Sequence, residues 1–134
     1  MPGYSGTPLP KKLGIKDGFQ VSLIDAPSGV VAALKPSLEK CKLKEDGKTP
    51  LDFAMLFSKS TTALKKEFPR VAKHLAPAGM LWVSWPKKAS GVPTDLNENI
   101  VREIGLAAGL VDVKVCAVTD IWSGLKFVRR LKDR

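Results

Sequence analysis

The stretch Met80–Asn97, MLWVSWPKKASGVPTDLN, decides how this chain is read. Its first six residues, Met80-Leu81-Trp82-Val83-Ser84-Trp85, are almost unbroken apolar, the pattern of a strand buried on both faces. A basic, glycine-bearing loop follows, Pro86-Lys87-Lys88-Ala89-Ser90-Gly91-Val92-Pro93. A helix start is then expected, with Thr94 or Asp95 as N-cap and Glu98 completing a capping box three residues beyond Asp95. Buried strand, loop, helix is the succession at which α/β proteins hold ligands, outside the carboxyl end of the strand.

Upstream, Ser60 or Thr61 caps a helix expected to run to about Leu75. Leu64, Phe68, Val71 and Leu75 fall on one apolar stripe, Pro69 predicts a kink or restart, and Ala76-Pro77-Ala78-Gly79 predicts the stop. Leu51–Phe57 (LDFAMLF) reads as a central strand and Lys40–Lys44 as a weak one, with a turn at Asp46-Gly47. The link from Lys44 to Leu51 is too short for a helical crossover, which takes about a dozen residues, yet extended it covers about 20 Å. Phe19–Asp25 is the first strand. It passes through the turn Ala26-Pro27-Ser28-Gly29 into a helix from Val30 to about Lys35. Ahead of it, Thr7-Pro8 opens a short helix, Pro8–Leu13, closed by Gly14.

Downstream, Leu96, Ile100, Val101, Ile104 and Ala108 form the apolar face of the last helix, with Gly109 past its end. Val111, Val113, Val115 and Ala117 alternate with Asp112, Lys114, Cys116 and Val118, which predicts a strand with one face fully buried. Thr119–Ser123 turns the chain. Gly124–Arg130 returns as an antiparallel strand, and residues 131–134 are expected to fray.

The order β-α-β-β-α-β-α-β-β predicts one three-layer, Rossmann-like α/β domain over residues 1–134, with a mainly parallel sheet and a C-terminal antiparallel hairpin. The class I methyltransferase sheet ends in such a hairpin, so the expected fold is a reduced class I methyltransferase-like one. The ligand edge then lies at the switch point between the first and third strands.

The chain has 134 residues, 44% hydrophobic and 26% charged, which suits a single core and excludes a disordered chain. Twenty-two basic against 13 acidic residues give a net charge of +9. That favours anionic partners: a small molecule, an acidic protein surface, or nucleic acid, although no nucleic-acid reading motif is present. Dispersed lysines that serve only solubility account for the same number. Cys41 and Cys116 stand far apart among apolar residues and read as reduced core thiols. No long apolar run or signal-like N-terminus occurs, so a cytoplasmic protein without membrane contact is expected.

Three loops are expected to share one edge: Asp25–Gly29, Ser58–Thr61 and Pro86–Asp95. Lys59, Ser60, Lys87, Lys88, Ser90, Gly91, Thr94 and Asp95, with two helix N-termini, compose a possible phosphate or carboxylate cradle. On the other reading, Ser60, Thr94 and Asp95 are caps and the lysines are merely solvated. Trp85, at the end of its strand, is a candidate for stacking on a base, and Trp82 and Trp122 are packing residues. Asp25, Ser28 and Gly29 form a weak cofactor turn, because an adenosyl or dinucleotide site asks for more glycines than one and Pro27 intrudes. Asp25 itself reads as a turn residue or as a base or ribose ligand. One histidine and two cysteines without CxxC or HxxxH spacing exclude a Cys/His metal site; His74, on a helix's polar side, is a bystander.

Gly3–Lys16 (GYSGTPLPKKLGIK), Trp85–Val92 (WPKKASGV), Asp95–Glu103 (DLNENIVRE), Gly109–Val118 (GLVDVKVCAV) and Trp122–Arg130 (WSGLKFVRR) resemble a bacterial domain family of unknown function. The resemblance covers the two ends of the chain, with Val30–Pro50 undistinctive. It implies a small intracellular bacterial protein and assigns no reaction or catalytic residue. From the residues, the first expectation is a non-catalytic module that binds an anionic ligand or partner, with no cofactor. The alternatives are a diverged adenosyl-methionine-dependent methyltransferase, a basic nucleic-acid-associated protein and a protein-interaction subunit.

Overall fold

The computed structural model describes residues 7–44 and 50–134, so the Asp46-Gly47 turn lies outside the described residues. Six strands form one sheet in the order β2-β1-β3-β4-β6-β5. They are β1 (Gln20–Ile24), β2 (Lys42–Leu43), β3 (Leu51–Phe57), β4 (Leu75–Pro86), β5 (Leu110–Ala117) and β6 (Trp122–Arg129). β2, β1, β3 and β4 run parallel, while β6 is antiparallel to both β4 and β5. The expected hairpin therefore inserts its second strand beside β4 and leaves β5 at the edge.

Helices α1 (Leu9–Leu13) and α2 (Ser28–Leu38) pack on one face of the sheet, α3 (Thr61–Ala72) and α4 (Glu98–Ala107) on the other. This is why β3 and the second half of β4 are continuously apolar: both faces are covered. Period-two alternation sends Leu81, Val83 and Trp85 to the α3/α4 core and Trp82 to the α1/α2 core. Gly14, at φ +90°, closes α1 as the sequence predicts.

Several boundaries differ for physical reasons. α3 runs unbroken through Pro69 and α2 through Pro36. Pro69 has no N–H to give the Lys65 carbonyl, yet both residues are exposed and the helix continues without a restart. α3 stops at Ala72 because Leu75 already opens β4, where it pairs with Leu51. Ala76–Gly79 is not a helix stop but an irregularity inside β4, across which Leu51↔Leu75 becomes Phe53↔Met80. A Cβ at Gly79 would overlap the Leu51 carbonyl oxygen, so that close crossing demands glycine.

β5 does not bury a full face. Val113 and Val115 are 55% and 51% exposed. β5 is an edge strand, and its register with β6 slips between Asp112 and Lys114, which breaks the alternation at Val113. The thiols of Cys41 and Cys116 are free but only half-buried, at the margin of the α1/α2 core. Burial pushes both above their ordinary pKa. Leu131–Asp133 forms one exposed 3-10 turn. No helix among the described residues is long and apolar enough to cross a membrane.

Candidate functional site

The carboxyl ends of β1, β3 and β4 release the three loops onto one edge, as expected. What those loops do there differs from the expected cradle. Asn97, not Thr94 or Asp95, caps α4: its side-chain oxygen accepts the Ile100 N–H at 2.9 Å. Glu98 completes no box and pairs with Arg102 at 2.6 Å. Asp95 instead reaches back to α3, where its Oδ1 accepts the Thr61 N–H at 2.7 Å. Ser60 Oγ accepts the Ala63 N–H at 3.2 Å, the N-cap bond of the same helix. Thr94 Oγ1 donates to the Lys59 carbonyl at 2.6 Å and accepts the Leu96 N–H at 3.1 Å, stitching the two loops together.

Ser90 is likewise occupied. Its hydroxyl donates to the Lys87 carbonyl at 2.6 Å and accepts the Val92 N–H at 3.2 Å, shaping a 3-10 turn that ends at Gly91 with φ +76°. The N-termini of α3 and α4 are thus closed by the chain's own side chains, and Asp95 places a carboxylate where an anion would sit. Ser60, Ser90, Thr94 and Asp95 are thus all engaged in hydrogen bonds within the chain's own loops and helix starts. Lys59 and Lys88 remain exposed at this edge and Lys87 half-buried. Trp85 is only 5% exposed within the α3/α4 core, so it offers no face to a base. Trp122 packs, as expected, edge-on to Phe57 with ring centroids 5.2 Å apart.

Because Asp95 serves a helix 34 residues away in sequence, Asp95→Ala should cost about 1 kcal/mol. That is a drop of about 4 °C in Tm for a chain of this length. Hydrogen exchange should speed at Thr61–Ala63 and stay unchanged in α4; faster exchange in α4 would return Asp95 to the role expected from sequence.

The third N-terminus at the edge is different. α2 begins after Pro27 with no side-chain cap and no acidic residue in its first turn. Val30 and Val31 N–H groups both go to the Pro27 carbonyl. The N–H groups of Ser28 and Gly29, at the very start of the helix, have no intrahelical acceptor and face outward from its end. Asp25, just before, holds φ +58°, the one non-glycine residue with left-handed backbone among the described residues. Such conformations collect at binding turns, and aspartate tolerates them better than most. A Cβ at Gly29 would meet nothing within 4 Å, so no packing in this chain requires that glycine. The chain leaves β1 for β2 on one side and β3 for β4 on the other, which makes the β1/β3 crevice the topological switch point. Asp25, Ser28 and Gly29, the weaker set by glycine count, hold the open position. The signal in the sequence was the lack of any capping side chain at Ala26-Pro27.

His74 lies at the opposite end of the sheet, where its carbonyl accepts the Leu51 N–H at 2.9 Å. Among the described residues no group of three or more His, Cys, Asp or Glu side chains is placed to hold a metal ion.

No family model matches the sequence, and no curated protein matches it either. Solved structures do. A SAM-dependent methyltransferase from Aquifex aeolicus superposes with a TM-score of 0.62 at 17% identity, over 87% of this chain and 85% of that one. Magnesium protoporphyrin IX methyltransferase from Synechocystis PCC 6803 with bound SAM gives 0.60 at 11%, over 91% and 74%. The ribosomal protein L11 methylase of Lactobacillus delbrueckii subsp. bulgaricus gives 0.59 at 12%, over 91% and 75%. The fold is that of the class I methyltransferases. Identities this low carry the methyltransferase fold and leave activity to the site itself. They do correct one expectation: a chain read as needing no cofactor has the fold of proteins seen with S-adenosylmethionine or its product bound.

Proposed function

We propose that this chain binds S-adenosylmethionine at the β1–α2 turn and serves methyl transfer, the reading that sequence placed second to a non-catalytic anion module. The observation that carries it is the open N-terminus of α2 at the switch point, beside two helices whose N-termini are closed. The residues present fit the cofactor. Free N–H groups at Ser28 and Gly29 suit its carboxylate, the open space at Gly29 admits its approach, and Asp25 suits its hydroxyls or ammonium. When bound, the cofactor supplies an electrophilic methyl group on a sulfonium. The chain's only histidine is remote from this edge.

Calorimetric titration with S-adenosylhomocysteine tests the reading. Wild-type protein should bind it with a Kd below a millimolar. Ser28→Tyr with Gly29→Tyr should abolish binding while Tm stays within about 2 °C, since both positions are exposed. No heat at millimolar ligand, or undiminished binding by the double variant, would overturn the assignment.

A further inference from the structure

The other feature left unexplained by the fold is a cluster of lysines on the α1 side of the sheet. Lys126, on β6, lies directly opposite Trp82 of β4 on one side and Lys114 of β5 on the other. Directly opposed residues share a face of the sheet. Trp82 belongs to the α1/α2 core, and its indole N–H donates to the Leu13 carbonyl at 2.9 Å, so both lysines rise beside α1. Lys114 Nζ confirms this by donating to the Lys12 carbonyl at 3.1 Å. Lys12 Nζ in turn donates to the Ala117 carbonyl at 2.7 Å, and Lys16 lies three residues past the end of the helix.

Like charges placed directly opposite on a sheet are destabilising. The ion pairs among the described residues belong to Arg70 and Arg102; none of their carboxylates answers Lys16, Lys114 or Lys126. The Lys126 ammonium is pushed below its ordinary pKa, first by burial and then by the charges of Lys114 and Lys16. The hydrogen bonds of Lys12 and Lys114 tie α1 to β5, yet the repulsion among Lys16, Lys114 and Lys126 is left without a carboxylate, and a bound polyanion would relieve it. The cations do not ring a single pocket. They run from the end of α1 across β6 to the edge strand, and a groove of about 480 Å³ between α1 and α2, lined by Lys11, Lys16 and Ser37, extends the row. An extended row suits an extended anion better than one small phosphate, and the +9 net charge adds long-range attraction.

We propose that Lys16, Lys114 and Lys126 form a binding stripe for the phosphodiester backbone of a nucleic acid. The stripe rests on the sheet face and α1, not on the β1–α2 turn, and it stands whether or not an adenosyl compound binds there. It contacts backbone phosphates only, which accords with the absence of a base-reading motif in the sequence.

The test is fluorescence anisotropy of labelled 20-nucleotide RNA and DNA with the full chain, from 30 to 300 mM KCl, with no adenosyl ligand present. Wild-type affinity should fall steeply with salt for both. The triple variant Lys16→Gln, Lys114→Gln, Lys126→Gln should flatten the log–log slope by about 2 and weaken binding about a hundredfold at 0.1 M salt. A charge-matched control, Lys65→Gln, Lys66→Gln, Lys73→Gln, removes three exposed lysines of α3 and its C-cap on the opposite face and should bind nearly as wild type. Melting temperatures of both variants establish that they fold. Absence of salt-sensitive binding by wild type would overturn the proposal. So would equal losses in the two variants, or displacement of the oligonucleotide by tripolyphosphate at matched phosphate concentration.

Discussion

Trp82→Ala should lower stability by about 4 kcal/mol, near the upper range for truncation of a buried aromatic, and Tm by about 15 °C. Trp82 is fully buried, and its ring fills the space between the sheet and α1. Gly124, opposite Ser84 on the neighbouring strand, stays a glycine for the same reason. A Cβ there would stand 3.2 Å from the Trp82 ring and 2.9 Å from Val118. The indole N–H is also what ties the last carbonyl of α1 to the sheet, through its bond to Leu13 at 2.9 Å. Trp82→Phe separates the two contributions. It keeps most of the buried ring and leaves the Leu13 carbonyl without its partner, a loss of about 1–3 kcal/mol. Urea titration of both variants, with amide exchange read at Lys12–Ile15, should show α1 loosened in each and the sheet weakened mainly in the alanine variant. An alanine variant within 1 kcal/mol of wild type would mean that α1 and the indole contribute little to the native state.

The central strands were readable because they rest on composition that the solvent imposes. LDFAMLF and MLWVSW can be apolar throughout only if both faces are covered, and that alone places them at the centre of a two-sided sheet. The stripes of α3 and α4 were readable for a similar reason. The caps were not. Thr94, Asp95 and Asn97 are all good N-cap residues within four positions, and sequence cannot say which helix each will serve. Asp95 closed α3 across space, and Asn97 was left to close α4. This changed the site, because a carboxylate and three hydroxyls that looked like ligand donors were already spent on loops. The β1–α2 turn was undervalued because glycines were counted there. What matters physically is whether the first N–H groups are free, and Pro27 leaves them so. The exposure of β5 was hidden by its alternation, which reads the same at an edge as in the middle of a sheet.

Gly105→Ala should be strongly destabilising, by about 3 kcal/mol, although glycine to alanine inside a helix ordinarily gains about 1 kcal/mol. Gly105 sits in the last turn of α4 and is buried, and an added Cβ would overlap the edge of the Phe127 ring on β6. The ring has nowhere to go. It is itself fully buried and stands edge-on to Phe68 of α3, with centroids 5.1 Å apart and planes at 83°. One methyl group would therefore push α4 off the sheet or break the aromatic pair that joins α3 to β6, worth about 1 kcal/mol beyond its buried area. A drop of about 10 °C in Tm is expected. Shortening the obstacle should restore much of it. Phe127→Leu alone is destabilising, yet in the Gly105→Ala background the two losses should add to clearly less than their sum, because each change makes room for the other. Simple additivity in that cycle, or a Tm that rises with alanine alone, would show that α4 rides further from the sheet than this packing requires. The lack of a side chain at position 105 is what lets the last helix lie close enough for Val101 and Ile104 to close the α3/α4 core. That closure sets where Asn97 and the loop before it stand at the ligand edge.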